Sequence, residues 1–576
     1  MKKITLVLLF IVKISYGTTL YVNPDATGNN SGLSWTNGFT SLQAAINSAN
    51  AGDILFVKAG IYNPTQQIIS GDNRSRSFYL NKNIKIYGGF NGTETTISER
   101  NVNTNITILS GDFNGNDTDT NGNGINDFGL TENAYFVVLA YNLDNTALID
   151  GFRITGGNAD GTTSFTLGSY TVNTANGGGI NNIASNIVVK NTRFINNSAS
   201  FGGGITNKGA CFPKIENCEF TYNFASYGNS VHANDASLIT INNCVFSSNR
   251  GSGTLSSLNG SVQKVTNCVF SNNQGNSGCV LYNNNNCNAV FSNCIMRNNT
   301  ASSSGGAIYN TNYGIVTMYN TLVYKNFAVY GGAVYNVSNS YLNSINCTYY
   351  GNNASTQGGA FYCSVSPDNM FMKMYNTIIY GNTSPSNPNW YKEFYTTSNI
   401  HVRNSIIQGS GGSSSWNTFY GTNDGNNLDT NPMFINTNQD VEDFRLNVLS
   451  PGIDASYNQL LNLPNSNNSW TSSDTDVYGN SRLVGSGVDI GAAENGDALG
   501  MFENKNNKIS FYIKNKHLFF EGYEDILNSE FQIIEITGKK VINGKIENSE
   551  INISILNKGI YVLKVDGYKG IKFLIN

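Results

Sequence analysis

Asn217-Cys218-Glu219-Phe220, with Asn223 three positions past its large residue, is one copy of an element that fills the middle of the chain. It returns as Asn191-Thr192-Arg193-Phe194, Asn243-Cys244-Val245-Phe246, Asn267-Cys268-Val269-Phe270, Asn293-Cys294-Ile295-Met296, Asn320-Thr321-Leu322-Val323, Asn346-Cys347-Thr348-Tyr349, Asn376-Thr377-Ile378-Ile379 and Asn404-Ser405-Ile406-Ile407. The spacing averages about 27 residues, and the trailing Asn recurs at Asn197, Asn223, Asn249, Asn273, Asn299, Asn326, Asn352 and Asn382. Glycine-led runs lie between copies, as in Gly305-Gly306-Ala307-Ile308 and Gly331-Gly332-Ala333-Val334. Each period holds two or three short β-like runs, Gly/Asn turns and no helical periodicity. Short strands at a fixed period of this size predict an all-β fold, a right-handed, single-stranded parallel β-helix in which each repeat is one coil. Asn suits the turns because it tolerates left-handed backbone and can bond the same amide one coil away.

The composition agrees with this reading. Asn accounts for 94 of 576 residues, whereas only 12% are charged, so amides carry the polarity. A net charge of −4 gives no reason to expect nucleic acid binding, and three His make a multi-histidine metal centre improbable on composition. Residues 1–17 (MKKITLVLLFIVKISYG) have the basic start, apolar run and small-residue end of a secretory signal peptide. No other stretch is long and apolar enough for a transmembrane helix. Residues 18–80 are expected to form an N-terminal cap and first coils, with a short helix in residues 41–50 capped by Ser41. Residues 81–497 are read as the β-helix, regular over about 177–410 and irregular in the closing region 411–497. Residues 502–576 carry 11 Lys, no Arg and nine acids and form a separate unit, read as a small β-sandwich.

The Gly-Gly copies resemble polymorphic outer-membrane protein repeats. The flanks, Leu20-Tyr21-Val22-Asn23-Pro24, Tyr87-Gly88-Gly89-Phe90, Ser450-Pro451-Gly452-Ile453-Asp454 and Val488-Asp489-Ile490-Gly491-Ala492, resemble surface β-helix proteins of the choice-of-anchor Q type, with a pectin-lyase-like solenoid. Gly538-Lys539-Lys540-Val541 and Leu556-Asn557-Lys558-Gly559-Ile560-Tyr561-Val562 are similar to the closing strands of type IX secretion C-terminal sorting domains. The usual proline-containing opening is replaced by Met501-Phe502-Glu503-Asn504. The resemblance implies the type IX secretion machinery as a partner, passage across an outer membrane, and then release or anchoring to surface glycolipid.

Four constellations bear on chemistry. Tyr282, Tyr309, Tyr335 and Tyr362 follow the glycine-led strands at one position; an outward column of them offers ring faces to glycans, or else stacks to stabilise the sheet. Asp117, Asp119, Asn121, Asn123 and Asp127, preceded by Asp112, present oxygens at alternate positions around Gly124, a pattern that suits structural Ca²⁺ or a metal-free Asx-turn insertion. Cys218, Cys244, Cys268, Cys294 and Cys347 share one column, read as inward small residues interchangeable with Thr192, Thr321, Thr377 and Ser405 in preference to disulfides or metal. Cys279 and Cys287, off that column, are the better disulfide candidates. An outward apolar column, Val245, Val269, Ile295 and Leu322, calls for a covering loop or partner.

Five acids occur in residues 177–410: Glu216, Glu219, Asp235, Asp368 and Glu393. Hydrolysis of a glycosidic bond needs two facing carboxylates. Glu216 and Glu219, three apart in a strand, are expected on opposite faces, and Glu219 is placed to pair with Arg193 one coil earlier. No catalytic residue is assigned. The sequence reads as a non-catalytic adhesin or glycan-binding protein, extracellular or at the outer-membrane surface; the alternative is an extracellular polysaccharide lyase or other carbohydrate-active enzyme of pectin-lyase-like fold.

Overall fold

The computed structural model describes residues 17–364, 371–386, 390–392, 400–438, 442–457, 474–485, 487–495, 510–514, 516–521, 526–535, 539–557, 559–565 and 571–575. The signal-peptide reading at residues 1–17 and the acids Asp368 and Glu393 lie outside these, apart from Gly17. The chain divides into two compact units, Met1–Asp497 and Ala498–Asn576.

The first unit is a parallel β-helix. One coil shows the plan: Leu238–Asn242, Val245–Ser247, Arg250–Ser252 and Leu255–Ser257 each join a different sheet. In coil order these sheets contain fourteen, twelve, eight and twelve strands. A coil therefore holds four short strands rather than two or three, because the Gly/Asn corners cut the runs more finely than hydrophobic alternation shows. Register is kept from coil to coil, as in Phe194↔Phe220↔Phe246↔Phe270. Those inward rings stack at 4.6, 4.9 and 4.7 Å, a spacing imposed by strand separation.

Two Asn positions make the corners. The leading Asn of all nine copies, Asn191 through Asn404, has φ between 46° and 55°, the left-handed region that Asn enters at least cost after Gly. The trailing Asn is buried, and its Nδ2 donates to the Oδ1 of the next coil's Asn at 2.9–3.1 Å from Asn197 through Asn382. The same oxygen accepts the backbone N–H of the preceding Asn, and Nδ2 also donates to a carbonyl one coil back, as from Asn223 to Phe194. Buried amides are tolerated where their bonds are made. The Gly-Gly pair has two causes. Gly305 has φ 64°, and a Cβ on Gly306 would lie 2.1 Å from the carbonyl oxygen of Gly332 in the next coil.

Small residues follow the leading Asn for a reason the repeat alone does not reveal. The Thr192, Thr321, Thr377 and Ser405 hydroxyls donate to the carbonyl two residues back at 2.7–3.0 Å, and the thiols of Cys218, Cys244, Cys268 and Cys294 do likewise at 3.1–3.3 Å. A short side chain with a donor adds a second bond to a carbonyl that already accepts a backbone N–H from the preceding coil, as Glu216 O accepts Asn191 N–H, and so uses both lone pairs of a buried corner oxygen.

The N-terminal end is covered by helix Leu42–Ser48, capped by Ser41 Oγ, with Leu42, Ala45 and Ile46 buried in the common core. Lys82 Nζ donates to the carbonyls of Asn47 and Ala49 at 2.7 Å and so closes its other end. Near the opposite end the irregular region folds back along the outside. Phe444, Leu446, Ile490 and Ala492 pack on Leu322, Tyr324, Ile378 and Ile406, and Val488 packs on Tyr319 and Ile345.

The second unit contains a three-stranded antiparallel sheet (Ser510–Lys514, His517–Glu521, Glu550–Asn552) and a four-stranded one (Lys540–Lys545, Glu530–Glu535, Gly559–Val565, Ile571–Ile575). Leu518, Ile533, Ile551 and Leu563 share one apolar cluster. Among the described residues no helix is long and apolar enough to cross a membrane.

Candidate functional site

One outward column of the second sheet runs Arg153, Arg193, Glu219, Val245, Val269, Ile295, Leu322. Its later half is covered by the folded-back region: Leu322 is buried and Ile295 is packed beneath the same cluster. Thr475 marks the edge of that cover, receiving the Asn293 and Asn320 amides at 3.0 and 2.9 Å. Before it, Val245 remains 43% exposed. On the other side Val102, Asn103 and Ile106 form a wall. Beside this wall lies a groove of about 600 Å³, lined by Arg153, Arg193, Glu219, Val245 and the corner residues Asn191, Asn217 and Asn243.

The floor is an amide row. Asn217 Nδ2 donates to Asn191 Oδ1 at 3.3 Å and Asn243 Nδ2 to Asn217 Oδ1 at 2.8 Å. Charge is arranged in cross-coil pairs: Arg193 Nε lies 3.1 Å from Glu219 Oε2, and Lys190 Nζ 2.7 Å from Glu216 Oε2. The hydrogen bond to Glu216 pushes the Lys190 ammonium above its ordinary value. The expected Arg193–Glu219 pair is present. The expectation that Glu216 and Glu219 share a strand is not met: Glu216 ends Lys214–Glu216 of the first sheet and Glu219 begins Glu219–Thr221 of the second, with the corner at Asn217 between them. Arg153 belongs to no motif of the sequence, although its Nε is buried in the sheet without a hydrogen-bond partner. An isolated Arg in a strand gives no signal that its neighbours form a groove.

The tyrosines form a continuous stack. Tyr282–Tyr309, Tyr309–Tyr335 and Tyr335–Tyr362 lie 5.2, 5.2 and 4.7 Å apart with planes within 12°. Stacking along the coil axis turns each face to the next ring, so the expected sugar platform is not what the column presents; ring edges lie outward. Tyr227 covers the first ring at 4.9 Å, filling the space above the smaller Ser256, and burial pushes the Tyr282 hydroxyl up to about 12. His232 precedes Ser256 in this column.

The proposed disulfide is absent. Cys279 and Cys287 are buried free thiols; Cys279 donates to Thr300 O at 3.0 Å and packs with Ala301 and Ala328, whereas Cys287 lies beyond strand Leu281–Asn283 and donates to Asn285 O. The intervening strand and corner send the two side chains to different columns.

In the oxygen-rich loop most of the side-chain oxygens engage the loop's own donors. Asp119 accepts the backbone N–H groups of Gly122, Asn123 and Gly124, and Asp127 accepts from Thr120. Asn121 Nδ2 contacts Asp127 Oδ2, and the Asn123 carbonyl oxygen Oδ1 accepts Ile125 N–H. These four residues therefore build Asx turns. Asp117 instead turns towards Asp112 and Glu132, with ligand oxygens of the three within 4.8 Å of one another. Burial, with the nearby Asp112 and Glu132 charges, pushes the Asp117 carboxyl up to about 6 against the opposing bonds of the Asn133 and Asn126 amides.

Residues 507–575 match the family described as a secretion system C-terminal sorting domain. This tail implies export to the cell surface or the extracellular space by type IX secretion. No curated protein sequence matches the chain. Among solved structures, a pectate lyase, Pel9A, is 14% identical with a TM-score of 0.39, over 84% of this chain and 97% of that one. A GH136 lacto-N-biosidase from Eubacterium ramulus is 11% identical with a TM-score of 0.29, over 67% of this chain and 68% of that one.

Proposed function

We propose that the protein is a secreted or surface-displayed β-helix whose open groove on the second sheet binds extracellular glycan without cleaving it. The observation that carries this reading is the state of the groove's carboxylate. Glu219 is tied to Arg193 of the preceding coil, and its nearest acidic neighbour in sequence, Glu216, is tied to Lys190 around the corner. Two facing carboxylates free to act as acid and base or nucleophile are what glycoside hydrolysis needs, and this arrangement does not supply them. An amide row beside an apolar patch and two guanidinium groups suits hydroxyl-rich, partly acidic chains. The polymorphic-repeat and choice-of-anchor resemblances support a surface role, with surface glycolipid as the anchor after the tail has directed export. A second reading, a polysaccharide lyase, draws on Arg153, whose unpartnered Nε beside the groove could meet a uronate carboxylate.

Retention of the mature protein on a panel of neutral and acidic polysaccharides, with unsaturated products followed in the same incubations, tests both. Retention weakened by Arg193→Ala without product supports binding. Product formation, or retention unaffected by substitutions at Arg153, Arg193 and Glu219, overturns it.

A further inference from the structure

The loop between strands Thr107–Ser110 and Val138–Tyr141 is long and has almost no apolar core of its own. Its interior is organised by acceptors. Asp112 receives the backbone N–H groups of Asn114, Gly115, Asn116 and Asp117, which fixes its carboxylate at the loop's neck. Asp117 and Glu132 each direct one oxygen, Asp117 Oδ1 and Glu132 Oε1, into buried space with no hydrogen-bond partner. Asn133 is fully buried; its Nδ2 donates to Asp117 Oδ2 at 2.8 Å, which holds its amide against the cluster, and its Oδ1 has no partner. Asp117 is met by the uncharged Asn133 amide, and among the described residues no ion pair engages Asp112, Asp117 or Glu132, so three carboxylates gather without a cationic side chain. Burying unpaired acceptors and like charges together is unfavourable unless something positive joins them.

An oxygen-bound Ca²⁺ has ligands at 2.3–2.6 Å, so any two of its ligand oxygens lie within about 5 Å of each other. The Asp112, Asp117 and Glu132 oxygens meet that limit. We infer that Asp112, Asp117, Glu132 and Asn133 form a structural binding site for a hard divalent cation, Ca²⁺, which fastens the loop to the first regular coils. The donor set is all oxygen, combines carboxylates with an amide carbonyl, and sits in an irregular loop, the chemistry and flexibility that Ca²⁺ accepts and the smaller Mg²⁺ does not. The site differs from the alternate-position motif of the sequence: Asp119, Asn121, Asn123 and Asp127 shape the turn, while Glu132 and Asn133 supply the missing ligands from beyond it. Asn133 is also anchored from the other side, its carbonyl accepting Arg74 Nε at 2.8 Å, so an ion here would tie the insertion to the earlier coil that carries Arg74.

The test uses the mature full chain freed of metal with EDTA, titrated with CaCl₂ by calorimetry and melted with and without it. One calcium should bind and raise Tm. Asp117→Asn and Glu132→Gln, both isosteric, should weaken binding about tenfold or more. Without calcium these two variants should melt at or above the wild type, because each removes a like charge, and calcium should no longer raise their Tm. A merely structural role for Asp117 or Glu132 would lower Tm in both conditions. Asp119→Asn should bind calcium within about threefold of wild type. No heat and no Tm shift, binding of MgCl₂ in preference to CaCl₂, or loss of binding in Asp119→Asn with retention in the other two overturns the assignment.

Discussion

Asn273 gives both its backbone N–H and its Nδ2 to one oxygen, Oδ1 of Asn299, each at 3.0 Å, and both residues are fully buried. From Asn223 onward each Oδ1 of this row serves two donors on the preceding coil and each Nδ2 serves at least one backbone carbonyl, so a substitution strands groups on the neighbouring coil as well as its own. Asn299→Ala is expected to cost about 3 kcal/mol, since at least two buried donors on Asn273 lose their acceptor. Urea unfolding of the mature protein measures it; a cost below about 1 kcal/mol would show that water replaces the amide.

Cys244 supplies a corner hydrogen bond in the place where other coils use Thr. Cys244→Thr should therefore be nearly neutral, within about 0.5 kcal/mol, whereas Cys244→Val, which keeps the size and loses the donor, should cost about 1–2 kcal/mol. Dithiothreitol should leave Tm unchanged, because the column thiols Cys218, Cys244, Cys268 and Cys294 are buried and bonded to backbone carbonyls, outside any disulfide.

His232 sits in the tyrosine column with Nδ1 2.6 Å from Ser256 Oγ, and burial lowers its pKa from 6.5 to about 3. The unfolded chain therefore takes up a proton that the folded one refuses. Stability contributed by neutral His232 is present above pH 6.5 and is lost as pH falls towards 3. The loss is about 1.4 kcal/mol per pH unit, or roughly 2 kcal/mol by pH 5. His232→Thr, which copies Thr206 of the preceding coil, should flatten that slope. Denaturation at pH 7.5 and pH 5 compares them; identical slopes would refute a buried neutral ring.

Glu219 and Arg193 are both more than 40% exposed, so their ion pair adds little to folding. Glu219→Gln should shift stability by less than about 1 kcal/mol. If the groove holds acidic glycan, the same change should strengthen retention on acidic polysaccharide by removing a like charge. A large loss of Tm, or unchanged retention, would count against that role.

Truncation after Asp497 removes one compact unit and leaves the other whole. The shortened chain should keep the β-helix melting transition and remain inside the cell envelope, where surface proteolysis of intact cells no longer reaches it. Surface exposure of the truncated protein would separate export from the sorting tail.

The coils were legible because stacking repeats the same physical demand every turn. Left-handed corners recur as Asn, close backbone approach recurs as Gly-Gly, and buried amide pairing recurs as the trailing Asn. The N-terminal helix was legible too, through Ser41 and the Leu42/Ala45/Ile46 face. Features made once leave no period to detect. The fold-back of Phe444 and Ile490 over the second sheet is one such feature, and so is the fully buried Arg482, whose Nη2 donates to Asp489 O and Gly491 O at 2.8 and 2.6 Å. The acidic cluster was half visible. Asp112 and Asp117 stood near the motif, but Glu132 enters only when the loop closes through the Thr118–Phe128 bridge. Cys279 and Cys287 misled because nearness in sequence says nothing about which corner lies between two thiols.

The fold-back region has a fixed number of residues, whereas coils are interchangeable units. Its reach sets where shelter ends, near Ile295. A duplicated coil inserted between Val245 and Ile295 would leave both ends untouched and lengthen the open face by about 4.8 Å, a little less than the length of one sugar ring. The cover thus works as a ruler held against an extensible rod, and gain or loss of single repeats becomes a graded way to change how long a polymer the surface can follow.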